Sequence, residues 1–173
     1  MSTANELRTM HDGKRRRHRV ETFAIRNGLI LASCDYNRYP ELPGGGVDNG
    51  ENIAAAGKRE LEEEAGWESK DYNIVTLDHD WVWSGDVNST DRWLLSLGCV
   101  EEQFYAVTCV PLRFKPTPLY GSAGDALEFE MVSMDRVYQD TKIHLERGML
   151  PRRRMQAEFR LHVLELLMAN ATV

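Results

Sequence analysis

The chain has 173 residues, 42% of them hydrophobic and 28% charged, which suits one folded domain and excludes both two large independent cores and a disordered chain. A formal net charge of −6 argues against a protein that coats long nucleic acid or an anionic membrane by bulk charge. Taken alone, the same acidity speaks against any phosphate-rich partner.

Residues 1–18 are polar and run into the basic cluster Lys14 to Arg19, so they are expected to form a basic flexible arm, with residues 19–173 as a single domain. The first residues lack the apolar core of a signal peptide, and no stretch reaches the ~20 apolar residues of a membrane span. A cytoplasmic protein with no membrane partner is the expectation. Val20 to Ile25 and Leu29 to Ser33 are β-prone, and Asn27-Gly28 between them signals a hairpin. Residues 35–50 hold Pro40, Pro43 and four glycines and must be a loop. From Asn52 to about Ala65 the residues favour helix, with Ala54, Leu61 and Ala65 on one stripe. Strands are expected within Asn73 to Leu77, Trp81 to Trp83, Arg92 to Leu97, Phe104 to Leu112 and Leu127 to Met134, with Pro111 to Gly124 mostly loop. Pro151 suits the first turn of a closing helix whose apolar face carries Phe159, Leu161, Val163, Leu164, Leu166 and Leu167. Cys34, Cys99 and Cys109 have no zinc-site spacing and read as reduced, mostly buried thiols.

Chemistry concentrates in the first helix. Glu60, Glu62, Glu63 and Glu64 could be a solvated, salt-bridged face, since Lys58 reaches Glu62 and Arg59 reaches Glu63 at i,i+4 for about 0.2–0.5 kcal/mol each. That account leaves Glu60 and Glu64 repelling each other at the same spacing. At 100° per residue, Glu60, Glu63 and Glu64 fall within about 100° of arc while Glu62 points away. Three carboxylates on one patch suit a hard divalent cation that keeps several waters for a phosphate to replace.

The spacing from Gly45 runs five residues to Glu51, seven more to Arg59-Glu60-Leu61, then Glu63-Glu64, Gly66 and Trp67. It resembles the Nudix box at every fixed position, Trp67 standing where Ile, Leu or Val is more usual. Leu42 to Gly45 is similar to the family's approach to the box, and the segment from Phe129 to its closing strand. The resemblance spans about 110 residues. It implies an α/β fold, the α/β/α sandwich with a mixed, largely antiparallel central sheet, and Mg²⁺-dependent, or Mn²⁺-dependent, hydrolysis of a nucleoside diphosphate derivative.

Carried over by position, the resemblance makes Glu60, Glu63, Glu64 and the Gly44 carbonyl the metal ligands. It makes Arg59 an organiser paired with Glu51. The general base is Glu63 or a carboxylate before the closing strand, Asp125 or Glu128. Arg38 and Tyr39, before the box, are expected to contact ligand. Trp81 and Trp83, two apart and on one strand face, could stack a base or pack in the core. The substrate markers of ADP-ribose, dinucleoside-polyphosphate and coenzyme A hydrolases are absent. A nucleotide sugar, a nucleoside triphosphate, or an RNA 5′ end bound through the basic clusters remain as substrates. A catalytically silent nucleotide sensor is the non-enzymatic alternative, and homodimerisation stays open.

Overall fold

Strand β2 (Lys14–Arg26) organises the molecule because both of its edges are used along its length. One edge takes three antiparallel neighbours in turn: β1 (Arg8–His11) opposite residues 14–17, β4 (Gly44–Gly46) opposite 19–21, and β3 (Leu29–Ala32) opposite 25–26. The other edge runs parallel to β7 (Glu101–Pro111), Arg16 lying beside Glu101 and Ala24 beside Cys109. Strands β5 (Tyr72–Val75) and β6 (Val82–Asp86) add antiparallel to β7, and β8 (Glu130–Ser133) to β3. This computed structural model describes residues 8–11, 13–34, 39–75, 82–86, 92–113, 128–149 and 151–170.

Two helical layers cover the mixed sheet. Helix α1 (Ile53–Ala65) lays Ala56, Leu61 and Ala65 against Val20, Ala24 and Val107. On the opposite face, α3 (Met134–Glu146) and α4 (Pro151–Asn170) contribute Val137, Phe159, Val163 and Leu164 to a core with Phe23 and Phe104. Each such side chain, fully buried, contributes about 1.5–3 kcal/mol. The result is the expected α/β/α sandwich.

The hairpin forms as expected: Asn27 (φ 53°) and Gly28 (φ 74°) make the two-residue turn, and Ile25 faces Ile30. Helix α1 starts where Asn52 caps the Ala55 N–H at 2.8 Å and ends where Gly66 turns left-handed at φ 63°. Trp67 is fully buried just beyond and anchors that end.

Several expectations need correction. Residues 35–50 are not all loop, since Gly44–Gly46 pairs with β2 as strand β4 through backbone groups that need no side chain. Residues 8–11 and 14–18 are not an arm: Arg8–His11 is β1 and Lys14 begins β2. Their basic side chains find acids 85 residues away, Arg16 reaching Glu101 at 2.6 Å and Arg17 reaching Glu102 at 3.0 Å. Ala54, although on the apolar stripe, lies exposed in the first turn of α1. Arg92 to Leu97 supplies the short helix α2 (Arg92–Ser96) instead of a strand, because a brief apolar run does not separate the two periods. The closing strand stops at Ser133, and Met134 opens α3, whose Met134, Val137 and Thr141 are its buried, helix-spaced residues.

Candidate active site

The box folds as a loop clamped onto a helix. Arg59 is the clamp: Nε and Nη2 donate to the two oxygens of Glu51 at 3.2 and 3.1 Å, Nη2 donates to the Gly46 carbonyl at 2.7 Å, and Nη1 donates to Glu60 at 2.6 Å. Glu51 also accepts the Asp48 N–H at 3.1 Å, tightening the turn before α1. Burial opposes the Arg59 charge, yet hydrogen bonds and attraction from Glu51 and Glu60 outweigh it and hold its proton more firmly than usual.

Glu60 is 2% exposed, and its second oxygen, Oε2, is buried with no hydrogen-bond partner. Burial pushes its carboxyl above the ordinary range despite the attraction of Arg59. One turn on, Glu64 accepts the Gly44 N–H at 3.0 Å, and burial, aided by repulsion from Glu60, pushes its carboxyl up to about 7. Glu63 stands apart. Its side chain is 46% exposed, and it meets Arg59 at 3.4 Å.

Gly45, which opens the box, and Gly44 before it are both demanded by this packing. A Cβ on Gly45 would fall inside the Glu60 carboxylate, and one on Gly44 would fall on the Val20 carbonyl and 3.1 Å from the Glu21 Cα. Gly57 lets the helix approach the sheet, since a Cβ there would lie 2.7 Å from the Val107 side chain.

Among the described residues, no three His, Cys, Asp or Glu side chains are gathered closely enough to hold a metal by themselves. The donors still suit a hard divalent cation: two acidic side chains, one with an orphaned buried oxygen, both carrying protons more readily than ordinary carboxylates. Mg²⁺ bound by one or two carboxylates completes its shell with water and phosphate.

The other expected site residues fare unequally. Arg38, Trp81 and Asp125 lie outside the described residues, and Trp83 is a β6 residue paired with Phe104. Glu128 is exposed just before β8, and among the described residues no ion pair joins it to the box. Tyr39 is buried under the guanidinium of Arg160, 4.5 Å from its ring, so it supports the loop rather than facing ligand. His18 is buried, with Thr9 and Tyr105 as its hydrogen-bond partners, a structural role.

Two features escaped sequence reading. A cavity of about 310 Å³ opens beside the box, bounded by Arg19, Glu41, Glu64, Arg153 and Gln156. Behind it, Arg160 is fully buried, donating to Glu21 and to the Pro40 carbonyl, while Gln156 donates to Glu21 at 2.6 Å. Glu21 is the β2 residue paired with Gly44, so this network backs the loop that carries the box. Only its long sequence separation concealed it.

A family model described as the NUDIX domain matches residues 16–153. The chain is 32% identical over 90 residues to an RNA pyrophosphohydrolase of Wolbachia sp. subsp. Drosophila simulans (strain wRi), covering 44% of this chain and 54% of that protein. It thus spans about half the length of the curated relatives it matches. Its fold is similar to that of an ADP compounds hydrolase, at 18% identity and a TM-score of 0.54 over 91% of this chain and 76% of the other. It is also similar to the E. coli dihydroneopterin triphosphate pyrophosphohydrolase, at 13% identity and a TM-score of 0.51 over 83% and 92%. At these identities the two structures speak to fold alone.

Proposed function

The chain belongs to the Nudix family, and from that premise we propose that it is a cytoplasmic pyrophosphohydrolase. Its substrate is a nucleoside diphosphate derivative, a nucleotide sugar or a nucleoside triphosphate, cleaved at the diphosphate by water. The observation that carries this reading is the orphaned, buried Glu60 oxygen one helical turn from Glu64, in a box that retains all its carboxylates.

Glu60, Glu64, Glu63 and the Gly44 carbonyl would hold Mg²⁺ or Mn²⁺. The cation's chemistry is to neutralise phosphate charge and to acidify bound water. Arg59 keeps Glu60 and Glu51 oriented and joins the loop carbonyl of Gly46 to the helix. Glu63, the most exposed of the three, would accept a proton from the attacking water. Asp125 and Glu128 are the other candidates for that role.

The test is phosphate release, coupled to inorganic pyrophosphatase alone for nucleoside triphosphates and 5′-triphosphorylated RNA, and to alkaline phosphatase for nucleotide sugars, dinucleotides and capped RNA, whose phosphates are exposed only after cleavage. Metal-dependent turnover of at least one class is expected. Tight nucleotide binding with no turnover of any would favour a silent sensor instead. An RNA 5′ end is the second substrate reading, favoured by the name of the relative that shares 32% identity over 90 residues.

A further inference from the structure

The cavity beside the box is built from four elements, β2, β4, α1 and α4, and the loop before β4. Arg19 comes from β2, Glu41 and Gly44 from the loop and strand before α1, Glu64 from α1, and Arg153 and Gln156 from α4. It therefore adjoins Glu64, one of the two carboxylates that carry the proposed chemistry, with a guanidinium on each of two separate walls. Arg19 is near enough to Glu60 and Glu64 for its charge to offset part of the burial that raises both. It lies 5.8 Å over the Phe104 ring, which keeps it on that wall.

Arg153 is held more loosely. It pairs with Glu41, with side chains 48% and 24% exposed, and lies 5.7 Å from the Tyr39 ring. An exposed pair of this kind is worth about 0–1 kcal/mol, so a multiply charged phosphate can displace Glu41 at small cost. Gln156 is fixed by its bond to Glu21 and gives the cavity a polar back wall. Among the described residues, no aromatic ring lines the cavity.

We propose that this cavity is a phosphate subsite, in which Arg19 and Arg153 bind the phosphate beyond the scissile diphosphate and so select a 5′-triphosphate over a diphosphate ending in a neutral sugar. The proposal rests on the hydrolase reading and narrows it. The shared ligand chemistry is a terminal triphosphate, carried either by a free nucleotide or by an RNA 5′ end.

Binding of inorganic tripolyphosphate to the full chain, measured by calorimetry with Ca²⁺ present, reads the subsite without turnover. Arg153→Ala and Arg19→Ala are each expected to weaken it by about tenfold or more, Arg153→Lys to recover part, and Glu41→Gln to tighten it. A merely structural role would not give Glu41→Gln the opposite sign to Arg153→Ala. In turnover assays, kcat/KM of Arg153→Ala should fall by about tenfold for triphosphates and hold for a nucleotide sugar. A free nucleoside triphosphate and a 5′-triphosphorylated oligonucleotide, run in parallel, separate the two sources. Wild-type tripolyphosphate affinity in a folded Arg153→Ala protein, or equal loss on the nucleotide sugar, overturns the subsite while leaving the hydrolase reading intact. Arg153-dependent tripolyphosphate binding in a chain that turns over no substrate upholds the subsite and overturns the hydrolase reading.

Discussion

Glu60, Glu63 and Glu64, which spacing alone left equal, have different surroundings in the fold. Glu60 is locked by Arg59 and Gly45, Glu64 is tied to the Gly44 N–H, and Glu63 is left open to water. Glu64→Gln and Glu63→Gln are each expected to lower kcat by about a hundredfold or more while the fold persists. Steady-state kinetics together with circular dichroism will check this, and wild-type turnover in both variants would remove the assignment. Gly57→Ala sets two effects against each other. Helix propensity favours Ala by about 1 kcal/mol, whereas a Cβ 2.7 Å from Val107 overpacks a rigid interface for about 1–3 kcal/mol. A lower melting temperature is expected, and an unchanged or higher one would show that the strand yields.

At the scale of elements, the local signals were the legible ones. Asn27-Gly28 specified the hairpin, and Asn52 and Gly66 bounded α1, because turns and caps are decided by neighbouring residues. The basic run misled for the opposite reason. Its partners Glu101 and Glu102 lie on a parallel strand, where no short-range rule reaches. Helix α4 likewise looked like an apolar face, yet at its centre Arg160 is buried on Glu21. Arg160→Leu would strand a buried carboxylate and is expected to cost about 3–5 kcal/mol, whereas adding Glu21→Leu should return much of that loss. Chemical denaturation of the single and double variants measures the coupling. Equal stability of Arg160→Leu and wild type would show that the pair contributes little.

For the whole molecule, the charge of −6 reads differently once the sheet is assembled. Several cations and acids cancel within β2 and β7, while Glu60 is buried and Glu64 half-buried at the site. Folding raises the Glu64 carboxyl from its ordinary value to about 7, so the folded chain binds that proton more tightly than the unfolded chain. Without metal, the stabilisation is complete below the ordinary carboxylate pKa and is lost as pH rises through about 7. A divalent cation requires the ionised form and gains affinity over that window. The rise in melting temperature on adding Mg²⁺ should therefore be larger at about pH 8 than at about pH 6. A rise independent of pH would place the cation away from Glu64.

The division between what was readable along the chain and what required the fold follows from range. Gly45, Glu51, Arg59, Glu60 and Glu64 are 20 positions or fewer apart, and one loop and one helix suffice to bring them together, so their spacing already carried the family and its chemistry. The cavity takes Arg19, Glu64 and Arg153 from three elements. Only packing α4 and the box loop against β2 brings those residues around one cavity, because side chains separated by so much sequence meet through the sheet and through burial, which no local period encodes.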